Sequence, residues 1–210
     1  MAMIDVSWTL FIVASLLLIA TPGQDMILVM SRSVAHGVAA GVATAAGVSV
    51  GLVGHTVLAT LGLGALLRTS EWLFVALKLI GAAYLVWLGV QQLRTRSTAL
   101  ALSAGAPRSN ARSFADGALS NLSNPKIAIF YFAFLPQFVP AQAARPALTV
   151  FTLGLAFAAL TFVVKGPVAL GAGLLSAWLR ARPVVLAALH RASGVVLIAL
   201  GIKLAFERRA

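Results

Sequence analysis

Thr21-Pro22-Gly23-Gln24-Asp25 and Asn121-Leu122-Ser123-Asn124-Pro125-Lys126 interrupt two stretches that otherwise read as apolar and membrane-spanning. Hydrocarbon offers charged groups and freed backbone no hydrogen bonds. Such breaks therefore need a wet or protein-lined cavity, and they mark function. Paired breaks in matching places of the two halves of a membrane protein point to a transport site.

Composition supports the membrane reading. Of 210 residues, 60% are hydrophobic and 10% are charged, and the mean hydropathy is +0.98. Soluble domains carry about 25% charged residues. The chain has no cysteine, which excludes disulfides and thiolate metal sites and leaves the redox compartment open. Its net charge of +11 is spread over loops and helix ends, with no basic stripe or aromatic platform. Anionic lipid headgroups suit this charge better than nucleic acid does.

Working outward from the breaks, the sequence predicts an all-α membrane protein with six spans of about 20 or more apolar residues. They run from Ser7 to Met30, Val38 to Leu67, Trp72 to Leu93, Phe114 to Val139, Ala147 to Leu179 and Val184 to Phe206. Trp8, Trp72, Trp87 and Trp178 fall near span ends, where amphipathic rings favour the interface. The start of the chain lacks a basic leader and a small-residue cleavage pattern, and reads as a retained first helix. The chain is expected to be one transporter domain, residues 1–210, with half-repeats at about 1–93 and 113–210 joined by the polar loop 94–112.

The halves look related. Pro22 and Pro125 stand about 103 positions apart, and Leu77-Lys78 through Leu88-Gly89 matches Leu189-His190 through Leu200-Gly201 at an offset of about 112. Three spans per half is an odd number, so the halves must insert with opposite topology, as inverted repeats do. The predicted fold is thus a 3+3 inverted repeat with broken helices 1 and 4. Compositional likeness between apolar helices is the alternative.

Each break has a local physics. Thr21 stands where it can cap a new half-helix with Pro22 at the first position and Gln24 at capping-box spacing. Asp25 then lies in the first turn, where the helix dipole favours an anion. Gly23 removes a side chain and lets a ligand approach the backbone. In the second break Asn124 is the expected cap, Pro125 the first helical residue, and Lys126 a cation at a positive dipole end. Lys126 therefore needs an anion nearby, either Asp25 or a substrate carboxylate. Two plain proline kinks are the competing reading, but kinks alone require neither Asp25 nor Lys126.

These residues carry a family resemblance. Thr21-Pro22-Gly23, Gly37-Val38-Ala39-Ala40-Gly41, Leu61-Gly62-Leu63-Gly64 and Leu77-Lys78-Leu79-Ile80-Gly81-Ala82-Ala83-Tyr84-Leu85 resemble the patterns of the LysE/RhtB amino-acid exporters. Most specific is Asn124-Pro125-Lys126 followed by Phe130, Phe132, Phe134 and Leu135-Pro136-Gln137-Phe138. The family pattern continues Thr-Pro-Gly with Pro and then Asn or Asp. This chain has Gln24 and then Asp25, which leaves the substrate's identity open. The resemblance implies export of amino acids or close derivatives across the bacterial cytoplasmic (inner) membrane, by a small homo-oligomer driven by proton motive force. No enzymatic motif and no cofactor is implied.

The expected substrate-binding residues are Thr21, Pro22, Gly23, Gln24, Asp25, Asn121, Asn124, Pro125 and Lys126. Asp25, His55 and Lys165 are candidates for coupling. His55 has an imidazole suited to proton exchange, or is simply hydrogen-bonded. Lys165, in Lys165-Gly166-Pro167, binds a carboxylate or replaces a cation, or else snorkels to the interface. The motif is expected to break the fifth span. Lys78, His190, Arg191 and Lys203 read as topology anchors. Gly37/Gly41 and Gly47/Gly51 have small-xxx-small spacing for close packing, within a protomer or at a dimer contact. The phenylalanines from Phe130 to Phe138 read as a lipid or packing face. No cluster of carboxylates, His or thiolates marks a metal site. Export of another small solute or cation, and a non-transport intramembrane role, are the alternatives.

Arg32, Arg94, Arg96, Arg108, Arg112, Arg180 and Arg182 fall on one side of the six-span scheme, against Arg68, Arg145, Arg208 and Arg209 on the other. The richer side should be cytoplasmic and both termini external. A cysteine introduced at Ser103 is therefore expected to resist a membrane-impermeant thiol reagent in intact cells and to react after permeabilisation. Labelling in intact cells would reverse the orientation.

Overall fold

The computed structural model describes residues 6–69, 71–94, 109–140 and 143–206. Within these, side chains at 63–69, 71–74, 77–78, 125–126, 173, 176, 180 and 183 lie outside the description. The described chain is all helical. In order it forms α1 (Trp8–Ala20), α2 (Gln24–His36), α3 (Val38–Thr69), α4 (Glu71–Arg94), α5 (Asn110–Leu122), α6 (Pro125–Phe134), α7 (Pro146–Leu170), α8 (Ala172–Ala181) and α9 (Pro183–Phe206). A 3-10 turn at Leu135–Phe138 continues α6. Among the described residues Val38–Gly62, Pro146–Leu170 and Val184–Phe206 are long and apolar enough to cross a bilayer. The pair α1–α2, bent by 54°, makes a fourth crossing when taken as one.

The first break follows from Pro22. A residue before proline is driven out of the helical region, and Thr21 is extended at φ −69°, ψ 120°. Gly23 is also extended, and α2 opens at Gln24 with no side-chain cap. This corrects two expectations. Pro22 is not the first helical residue, and Thr21 does not cap α2. Its hydroxyl instead donates to the carbonyl of Leu17, 2.8 Å away in the turn it has left. The second break meets its expectation, since α6 opens at Pro125.

The fifth span is also corrected. Lys165-Gly166-Pro167 does not break it, for α7 runs through Pro167 to Leu170. Proline removes one amide donor and crowds one carbonyl. Gly166 leaves the adjoining space open, with nothing closer than 4.0 Å to a Cβ placed there. The chain turns at Gly171, so the expected Ala147–Leu179 span is two helices, α7 and α8.

Close packing holds the half-helices against the long ones. A Cβ on Gly47 of α3 would stand 2.0 Å from the Phe114 carbonyl oxygen, and one on Gly117 of α5 would stand 2.4 Å from that of Thr44. Backbone therefore lies on backbone, and contacts rise in step along both chains, so α3 and α5 run parallel. Gly41 meets Ser33 of α2 and Ala169 of α7, while Gly154 of α7 meets Thr56, so α7 runs antiparallel to α3. Gly89 of α4 and Gly194 of α9 approach each other's carbonyls in the same way, again antiparallel. Of the small-residue positions, Gly41, Gly47 and Gly51 pack within the protomer. Gly37 does not, and instead takes φ +89° in the turn between α2 and α3.

Polarity is inverted relative to a soluble protein. Leu61, Ile80, Val163 and Phe206 are more than 60% exposed, while Asp25, His55, Asn121 and Lys165 are buried. Phe130, Phe134 and Phe138 face inward onto Phe11 and Phe157, which selects packing over a lipid face for them.

Gly117→Val is expected to destabilise the folded protein by about 1–3 kcal/mol, through forced separation of α3 and α5. Gly23→Ala, at a position with nothing within 4 Å of a new Cβ, should leave the melting temperature in detergent unchanged. Thermal unfolding followed by size-exclusion chromatography measures both, and equal melting temperatures would contradict the backbone contact.

Candidate functional site

The site grows from the end of α1. Helix termination leaves carbonyls without partners. The Leu17 carbonyl accepts from the Thr21 amide and is also in reach of the Thr21 hydroxyl and of the Ser193 hydroxyl of α9, the latter at 3.0 Å. The Thr21 and Ser193 hydroxyls adjoin each other as well, so their two protons are shared among three contacts. This knot pins the break to α9 and fixes the start of α2.

Asp25 then falls in the first turn of α2, where unpaired amides and the dipole favour negative charge. Its Oδ2 accepts from Asn121 Nδ2 at 2.9 Å and from Lys165 Nζ at 3.4 Å. Asn121 sits in the last turn of α5, so the two breaks meet across this bond. Gln24 Oε1 and Asn124 Nδ2, 3.5 Å apart, join them a second time. Lys165 comes from the C-terminal part of α7, with its side chain 8% exposed.

His55 of α3 stands behind this layer. Its Nε2 lies 3.1 Å from the Asn121 backbone carbonyl, which can only accept. Nε2 therefore carries a proton. Among the described residues the ring's Nδ1, Asp25 Oδ1 and Asn121 Oδ1 are buried without a hydrogen-bond partner. Buried polar atoms are nearly always paired, so orphans of this kind call for an explanation.

A cavity of about 420 Å³ opens on the pair, within the roughly 300–1,000 Å³ range of small-molecule sites. Residues 21–26 form one wall, with Thr161 and Lys165 of α7 beside them. Asn124, Ile127, Phe130 and Tyr131 adjoin the second break, and α4 and α9 close the far wall. Two further contacts bracket the breaks. Arg32 of α2 pairs with Asp116 of α5 at 3.2 Å on the side where α4 ends and α5 begins. On the other side Phe11 of α1 packs on Phe134 and Phe138, with ring centroids 6.0 and 5.2 Å apart. Among the described residues no group of three or more His, Asp or Glu side chains is placed to hold a metal.

The model of LysE type translocators matches residues 16–208. The chain belongs to the LysE type translocator family. A homoserine/homoserine lactone efflux protein of Salmonella typhimurium is 36% identical, over 97% of this chain and 98% of that protein. A leucine efflux protein of Klebsiella pneumoniae is 28% identical, over 93% of this chain and 92% of its own. An uncharacterized membrane protein of Pseudomonas aeruginosa is 32% identical, over 94% of each chain. No solved structure matches the translocator. It is a multi-pass bacterial membrane transporter, not an enzyme.

Of the sequence-predicted residues, Thr21, Pro22, Gly23, Gln24, Asp25, Asn124 and Lys165 line one cavity. Asn121 and His55 adjoin it through hydrogen bonds. The expected neighbour of Asp25, Lys126, has its side chain outside the described set, as has Pro125. Among the described residues the cation placed on Asp25 is Lys165, so its snorkelling alternative falls away. Sequence reasoning missed Gln91, Gln92, Thr161, Tyr131 and Ser193, and took His190 for a topology anchor although it is buried and lines the cavity. The signal available was the polar pair Gln91-Gln92 inside the third span, close in sequence to its apolar end.

Removing one member of a buried pair strands the other charge, at about 3–5 kcal/mol. Asp25→Ala is therefore expected to lower the unfolding free energy of the translocator by about that much. Asp25→Ala combined with Lys165→Met should recover most of the loss. Additive losses in the double variant, measured by thermal or denaturant unfolding in detergent, would show that the two groups are not coupled.

Proposed function

We propose that this translocator exports amino acids or close derivatives across the cytoplasmic membrane by a secondary, proton-coupled mechanism. The substrate sits at the paired breaks, among Thr21, Pro22, Gly23, Gln24, Asp25, Asn121, Asn124, Pro125 and Lys126. The observation that carries this reading is the ion pair Asp25–Lys165 at a half-helix start, facing a cavity of amino-acid dimensions. The efflux proteins to which the chain is similar are named for homoserine and leucine.

A zwitterion is the natural counterpart of such a pair. Its ammonium group suits Asp25, whose Oδ1 has no partner among the described residues, and its carboxylate suits Lys165 and the amides that open α2. The empty site closes on itself through the ion pair, and the filled site opens that pair onto the substrate. A proton on Asp25 releases Lys165 as a bound cation would, which couples proton entry to substrate exit. His55, joined to Asp25 through Asn121, holds the geometry.

The scheme uses six crossings in two inverted halves, with α1–α2 and α5–α6 as the broken symmetry mates. Helix directions support it, since α3 runs parallel to α5 while α7 runs antiparallel to α3 and α9 to α4. The Arg32–Asp116 pair and the Phe11–Phe134–Phe138 cluster then stand on opposite sides of the site. Alternating access has them part in turn.

Cells overproducing the translocator are expected to export one or more amino acids in a screen of all common ones. Reconstituted vesicles should do so faster with an opposing proton gradient than without it. Asp25→Asn should cut the rate at least tenfold at equal membrane abundance, about the value of one charge-assisted hydrogen bond. Wild-type export by Asp25→Asn would remove Asp25 from binding and coupling. Indifference to the gradient would remove the proton.

A further inference from the structure

The Asp25–Lys165 pair leaves the α4–α9 wall of the cavity unexplained. There Gln92, in the last turns of α4, and His190 of α9 line the same space. His190 is 7% exposed, and its Nδ1 lies 2.6 Å from Gln92 Oε1. An amide oxygen only accepts, so Nδ1 donates and Nε2 keeps an acceptor lone pair. The Gln92 amide nitrogen keeps its donors. Turning the amide over exchanges the roles, and the pair again offers one donor and one acceptor.

Packing alone does not ask for this chemistry. The close approach of Gly89 and Gly194 already brings α4 onto α9, and the neighbouring cavity lining is apolar, with Leu88, Leu197, Phe130 and Phe157. Polar groups in such surroundings are costly unless they are used. His190 also shares a helix face with Ser193, three residues on, which anchors Thr21. The polar strip of α9 thus runs from the first break into the cavity.

We propose that Gln92 and His190 form the side-chain subsite of the translocator. They select amino acids whose side chain carries a hydroxyl over those with a methyl group of the same size. A hydroxyl both donates and accepts, which is what the pair offers, whereas an apolar isostere leaves a buried donor and acceptor unpaired. Sites built to hydrogen-bond a substrate discriminate strongly against the analogue that lacks the group. Gln92 and His190 come from α4 and α9, and the charged pair comes from α2 and α7. One zwitterionic head and one polar tail therefore occupy separate walls. This inference rests on the export reading above.

Homoserine and norvaline are suitable probes, since they differ by hydroxyl against methyl at equal length. Reconstituted wild-type translocator is expected to half-saturate with homoserine at a concentration about tenfold below that for norvaline. Gln92→Leu should bring the two within about twofold, mainly by weakening homoserine. His190→Gln, which keeps a donor and an acceptor, should retain most of the preference and serves where the leucine variant fails to reach the membrane. A wild-type ratio near one, or a ratio that Gln92→Leu leaves intact, would overturn the subsite while leaving export standing. Transport of no amino acid in a full panel would overturn export itself, and the subsite with it.

Discussion

A charge inside a bilayer protein must find its opposite, and here Asp25 finds Lys165 3.4 Å away. Each group alone would carry a penalty of several kcal/mol, and together they still pay for desolvation. Their retention therefore calls for more than stability. Much of the surrounding architecture serves to bring them together. The Thr21–Ser193 knot fixes where α2 begins, α2 aims its dipole at the carboxylate, and α7 stays helical past Lys165 and so delivers the ammonium.

The pair also explains why the two breaks adjoin. A carboxylate on one half-helix that pairs with Lys165 keeps spare acceptor capacity. Asn121, at the end of the other half-helix, fills part of it. One hydrogen bond thus ties the halves at the point where each has lost its regular backbone bonding. His55 holds Asn121 in turn through the main chain, so a side chain of α3 orients a residue of α5 without touching the charge.

Much of this was legible in the sequence. Proline after threonine and after asparagine announced both interruptions, because the residue before proline is biased out of the helical region. Asp25, Asn121 and Asn124 stood out because apolar surroundings make any polar group conspicuous. The cap at Thr21 was misjudged because α2 opens only at Gln24 with Gly23 in the cap position, so Thr21 stands two residues too early. Its hydroxyl turns back instead to the carbonyl of Leu17, in the turn just completed. That Lys165 would be the lysine to reach Asp25 was hidden for a different reason. It arrives from 140 positions away by helix packing, and nothing local encodes that. The continuation through Pro167 was hidden likewise, since proline's effect depends on whether its neighbours leave room.

The 54° bend has a consequence for how the protein is made. Each arm of the bent pair has 13 residues, or roughly 20 Å of helix against a hydrocarbon core of about 30 Å. The second arm carries Gln24, Asp25, Arg32 and His36, so a translocon reading segments one at a time has little reason to release it into lipid. The start of α3, the chain's next helix, supplies a surface on which that arm can settle, with Gly41 against Ser33. The opening residues should thus wait at the insertion machinery until α3 has emerged. Crowding substitutions along α3 would then surface first as failed biogenesis and clearance by membrane proteases, before any effect on transport could be observed.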